Sequence, residues 1–129
     1  MAEYTELIAA GYEAYAKKDF QKILALLHPE IEAHQSDEVP WGGSYKGLTE
    51  FAQFIGKLTE YADTVVEVDE IVEAGDTVVV IGRSKGKVVA TGREFEVRAI
   101  HVWHMDDGKA RRFEVYLDTP AMLAALQAE

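Results

Sequence analysis

Phe95-Glu96-Val97-Arg98-Ala99-Ile100-His101-Val102-Trp103-His104-Met105 is the clearest strand in this chain. Alternate side chains of a strand share a face. Phe95, Val97, Ala99, His101, Trp103 and Met105 therefore line one side, and Glu96, Arg98, Ile100, Val102 and His104 the other. The first set is mostly apolar and is expected to face a core, with His101 as its lone titratable group. Asp106-Asp107-Gly108 follows as a hairpin signal, and Lys109 to Asp118 returns as the last strand.

Upstream the same period continues. Thr77 to Ser84 carries the β-branched run Val78-Val79-Val80-Ile81, and Gly75-Asp76 turns it back onto Thr64 to Val72. Lys85-Gly86-Lys87 reads as a turn or as a bulge in a long bent strand. The stretch from Tyr61 to Asp118 is thus four strands with few breaks.

The start of the chain has helical spacing. Leu7, Ile8, Gly11, Tyr12 and Tyr15 make one stripe on a helix from Glu3 to Lys17. Asp19 can cap a second helix, Phe20 to Leu27, which His28-Pro29 ends because the residue before proline is pushed out of the α region. Glu30 to Ser36 reads as a strand and Asp37 to Gly47 as a loop holding Trp41, Tyr45 and three glycines. Aromatic rings of that size are expected to close over something. Leu48 to Leu58 is a third helix with Thr49 near its cap. Thr119-Pro120 opens a short final helix, Ala121 to Gln127.

The 129 residues suit one domain, 1–129, with one core. The net charge of −10 repels phosphate backbones and anionic lipid, so neither nucleic acid nor membrane is an expected partner. The chain holds no cysteine, which excludes disulfides and thiolate chemistry and is compatible with a reducing cytoplasm. Met1 to Glu6 lacks the basic flank and apolar block of a signal peptide. The four histidines are scattered without metal-ligand spacing, and no phosphate loop, dinucleotide fingerprint or Ser-His-Asp arrangement is present. Neither a metal nor a cofactor is expected.

Helix, helix, strand, helix and long sheet, in that order, resembles the cone-shaped α+β fold of nuclear transport factor 2 and ketosteroid isomerase. Ala25-Leu26-Leu27-His28-Pro29-Glu30-Ile31 resembles the family's helix-to-strand junction. Trp41-Gly42-Gly43-Ser44-Tyr45-Lys46-Gly47 and Tyr116-Leu117-Asp118-Thr119 resemble segments of its SnoaL-like branch. The resemblance implies three N-terminal helices packed on a curved antiparallel sheet, a pocket inside the cone and pairing of two sheets in a homodimer. Ile100 and Val102 on the outer face suit such pairing.

The resemblance also locates the isomerase's catalytic positions. Its first-helix tyrosine falls on Gly11, beside Tyr12. Its base falls on Gln35, beside His34, and its oxyanion aspartate on His101. All three are changed, which argues against ketosteroid isomerase chemistry as such. His101 reads either as a proton shuttle or oxyanion donor or as a satisfied core histidine. His34 would be the base if it points inward; Gln35 is the position the resemblance favours. Asp118 is either an assisting acid, pairing with His101, or a helix cap. Tyr15, Trp41, Tyr45, Trp103 and Phe113 are the expected aromatic wall of the pocket. The expected function is cofactor-independent acid/base catalysis of isomerase, cyclase or hydratase type on an apolar, carbonyl-bearing molecule. The alternative is a non-catalytic binding or dimerisation domain of the same fold.

Overall fold

The computed structural model describes residues 3–127; Met1, Ala2, Ala128 and Glu129 lie outside the described residues. Helix α1 spans Glu3–Ala16 and α2 Phe20–Ala25. Strand β1 (Leu27–Gln35) and the short β2 (Gly43–Lys46) precede α3 (Gly47–Tyr61). Strands β3 (Ala62–Ala74), β4 (Thr77–Val88), β5 (Glu94–Asp106) and β6 (Lys109–Leu117) then run in succession, and α4 (Thr119–Gln127) closes the fold. One six-stranded sheet results, in the order β2-β1-β6-β5-β4-β3. Its pairings are antiparallel except for β1 beside β6, which is parallel. The core lies between the sheet's inner face and the helices, and includes Ile8, Ile31, Trp41, Phe51, Val78 and Met122. No helix among the described residues is long and apolar enough to cross a membrane.

Several boundaries differ from the sequence expectation, each for a physical reason. The second helix stops at Ala25 because the chain joins the sheet early: Ala110 N–H donates to Leu26 O at 3.0 Å, and Leu27 pairs with Ala110. Pro29 then sits inside β1. The β1–β6 register breaks between Leu27 and Glu32, so no ladder donor is demanded of the proline. Gly43–Lys46 lies in the expected loop but pairs with β1 as an edge strand. Thr49 does not cap α3; Glu50 Oε1 instead accepts from Lys46 N–H at 2.8 Å.

Lys85-Gly86-Lys87 is no turn. It continues β4, with Gly86 opposite Thr64 and Phe95. A Cβ at Gly86 would stand 1.9 Å from Asp63 O, and one at Gly82 would stand 2.2 Å from Glu67 O. Only glycine lets β3 and β4 approach this closely, and the register shift between Val68 and Glu70 lies beside the same segment. Asp107 and Gly108 both take positive φ, 50° and 84°, the type I′ requirement of a two-residue hairpin.

Candidate functional site

A cavity of about 120 Å³ lies between the sheet and the helices. Its wall is built by alternation: Phe95, His101 and Trp103 from β5, Phe113, Val115 and Leu117 from β6, and Gln35 from β1 all line it. Tyr12 and Tyr15 descend from α1, and Phe51, Phe54, Ile55 and Leu58 from α3. Trp103 and Phe113 stack at 4.0 Å between centroids, and His101 meets Phe113 edge-on at 5.1 Å.

The polar groups in this apolar wall form three short chains. Trp103 Nε1–H donates to the Tyr12 hydroxyl at 2.9 Å, and that hydroxyl lies 2.6 Å from His101 Nδ1. Tyr15 and Thr64 share a hydrogen bond at 2.6 Å. Trp41 Nε1–H donates to Gln35 Oε1 at 3.1 Å. Burial pushes the His101 imidazole down to about 4, so it is neutral at pH 7. The Tyr12 phenol is pushed well above its ordinary value by burial, partly offset by the bond from Trp103. Burial also raises Tyr15, against a smaller lowering from Thr64. Among the described residues no aspartate or glutamate lines the cavity, and no group of three or more His, Asp or Glu side chains is placed to hold a metal ion.

The expected site residues divide cleanly. His101, Gln35, Tyr15, Trp41, Trp103 and Phe113 all line the cavity. His34 does not. It is one residue from Gln35, so it points through the other face, where its Nδ1 bonds Ser44 Oγ at 2.7 Å. The expectation of a His34 base inside the cone is corrected accordingly. Tyr45 does not line the cavity either; its hydroxyl donates to Trp41 O at 2.9 Å, and its ring packs on Phe54. Tyr45 thus holds the loop that brings Trp41 inward. Asp118 is exposed and accepts from Ala121 N–H at 3.3 Å as the cap of α4. It lies opposite Arg98, about 10 Å along the sheet from the row of His101, so the two do not pair.

Tyr12 is the residue that sequence reasoning missed. It stands in the α1 stripe next to the position the resemblance selected, and the packing of α1 on the sheet brings its hydroxyl over β5. Thr64 and Ser84 were also missed, since short hydroxyls on strands carry no distinctive pattern.

Residues 8–113 match the SnoaL-like domain family, so the chain belongs to that family. No curated protein sequence matches this one. The chain is similar to a solved nuclear transport factor 2-like protein of unknown function from Burkholderia pseudomallei. That pair shares 28% identity and a TM-score of 0.92, covering 99% of this chain and 100% of the other. A related protein from Burkholderia thailandensis is 32% identical, with a TM-score of 0.88 and 99% of each chain covered. TerC, co-crystallised with polyporic acid, is 27% identical, with a TM-score of 0.90 over 98% of this chain and 100% of its own.

Proposed function

We propose that this SnoaL-like domain binds a small, apolar, carbonyl-bearing molecule in the cone and polarises its oxygen through His101. The observation that carries this reading is the Trp103–Tyr12–His101 chain. It engages Nδ1 and leaves Nε2 for the cavity. A neutral imidazole that donates from an apolar wall stabilises negative charge as it develops on a carbonyl oxygen, because low dielectric strengthens the bond and no solvent must reorganise. That is the electrophilic half of cofactor-independent acid/base catalysis of the isomerase, cyclase or hydratase type. The similar protein TerC, co-crystallised with polyporic acid, supports small-molecule binding by this fold.

Hydrogen–deuterium exchange at the α-carbon of a bound cyclic ketone, followed by NMR, tests the reading. Exchange faster than in buffer is expected, with solvent hydroxide taking the α-proton while His101 Nε2–H holds the developing enolate oxygen, and it should be abolished in His101→Phe. Binding without exchange would favour the second reading, a non-catalytic ligand-binding domain, which the lack of a carboxylate base among the described lining residues supports. Failure of flat ketones and lactones to raise the melting temperature would overturn both.

The outer face of the sheet supports a homodimer. Ile100 on β5, Val72 on β3 and Tyr116 on β6 are 39%, 41% and 57% exposed and lie on one face of the sheet. A cytoplasmic setting fits the cysteine-free sequence, and the net charge of −10 disfavours nucleic acid and anionic membrane as partners.

A further inference from the structure

Two indole N–H groups end two of the cavity's hydrogen-bond chains, and an indole nitrogen can only donate. That fact orients everything attached to them. Trp103 Nε1–H occupies the Tyr12 oxygen as its acceptor. The Tyr12 proton then needs an acceptor of its own. Among the described residues the one within reach is His101 Nδ1, at 2.6 Å. The neutral imidazole therefore carries its proton on Nε2. The same logic holds at Gln35. Trp41 Nε1–H requires the amide oxygen at 3.1 Å, since the amide nitrogen would set donor against donor. The Gln35 NH2 group is left over. No hydrogen bond among the described residues engages either His101 Nε2 or Gln35 Nε2.

The sheet register brings these two donors to one level. Gln35 pairs with Val115 on one side, and His101 pairs with Val115 on the other. The three form a row across β1, β6 and β5. Two strand spacings separate the outer pair, about 10 Å between backbones. Both side chains line the same cavity, with Val115 as the floor between them.

We propose that the cavity selects a compact, single-ring ligand bearing two acceptor oxygens, one taken by His101 Nε2–H and the other by the Gln35 amide NH2. A cyclic dicarbonyl or its enolate has this character. A cavity of about 120 Å³ is close to the roughly 150 Å³ that accommodates benzene, so one ring fills it. An amine or ammonium would meet donors at both of these positions and, among the described lining residues, would find acceptors only in the hydroxyls of Tyr15, Thr64 and Ser84. This inference rests on the carbonyl-binding reading and adds to it the second oxygen and the assignment of Trp41 and Trp103 as positioning residues.

Titration of the whole chain by isothermal calorimetry and NMR separates the two ideas. The probes are cyclohexanone, cyclohexane-1,3-dione, cyclohexane-1,4-dione and cyclohexylamine. The better dione is expected to bind about tenfold tighter than cyclohexanone, the worth of one added hydrogen bond, and the amine more weakly than cyclohexanone. Gln35→Leu and Trp41→Phe should each bring the dione's affinity to within about threefold of the ketone's in the same variant. Ketone and dione binding equally to wild type would overturn the two-donor inference and leave carbonyl binding standing. No binding of either would overturn carbonyl binding, and the inference with it. The orientation has a test without variants: 15N shifts of the wild-type imidazole should show His101 protonated at Nε2, and protonation at Nδ1 would overturn the assignment.

Discussion

His101 is 8% exposed and supplies the imidazole of the cavity wall, so its protonation is tied to the fold. In the unfolded chain it takes a proton near its ordinary value of 6.5, and in the folded chain near 4. Between these values the unfolded state binds more protons, so stability rises with pH through this window. The contribution is complete above pH 6.5 and lost as pH falls toward 4. The difference corresponds to roughly 3 kcal/mol. Urea unfolding at pH 7 and pH 4.5 should show that loss in wild type and not in His101→Phe. Tyr12→Phe removes the acceptor for Trp103 and the donor to His101 together. It should cost roughly 1–3 kcal/mol in urea unfolding, because a buried indole N–H is left unpaired, and it should mix the two His101 tautomers in 15N spectra. The pair was only half legible beforehand: alternation on the strand exposed His101, but helical spacing gave no reason to prefer Tyr12 over its neighbours.

At the scale of elements, close backbone approach and capping decide what can change. Gly86→Ala would press a Cβ against Asp63 O, a backbone atom that cannot step aside, so a loss of about 2–4 kcal/mol in thermal or urea unfolding is expected. Gly56→Ala is the opposite case. Gly56 lies on α3, and a methyl group there would meet no described atom within 4 Å, so about 0.5–1 kcal/mol of stability should be gained from helix propensity. Asp118→Ala removes the bond to Ala121 N–H and should cost about 1 kcal/mol while leaving ligand affinity unchanged. An affinity loss there would return Asp118 to the site. The continuous β4 shows why a glycine between lysines was ambiguous in the sequence: a turn and a close approach of strands both call for the same residue.

For the whole molecule the open question is what covers the outer sheet face. Ile100→Asp places a charge among Val79, Ile81 and Val102, in the middle of the proposed pairing surface. Light scattering after size exclusion should report a dimer for wild type and a monomer for this variant, with the melting temperature then dependent on protein concentration only in wild type. A wild-type monomer at micromolar concentration would remove the dimer from the proposal. Arg83, held by Asp69 and Glu96 at 3.0 and 2.8 Å, lies on the same face, so added salt should weaken the rim more than the apolar centre.

The sequence by itself determined the cone. Period-two runs, the Asp107-Gly108 hairpin, the α1 stripe and the parity of β5 are local patterns, and local patterns are written in neighbouring residues. Tertiary structure alone decided the chemistry of the hollow. The parallel seating of β1 beside β6 put Gln35 inside and His34 outside, and the approach of α1 to β5 joined Tyr12 to His101 across 89 positions of sequence. Such partners are set by which surfaces meet, and no spacing along the chain records that meeting.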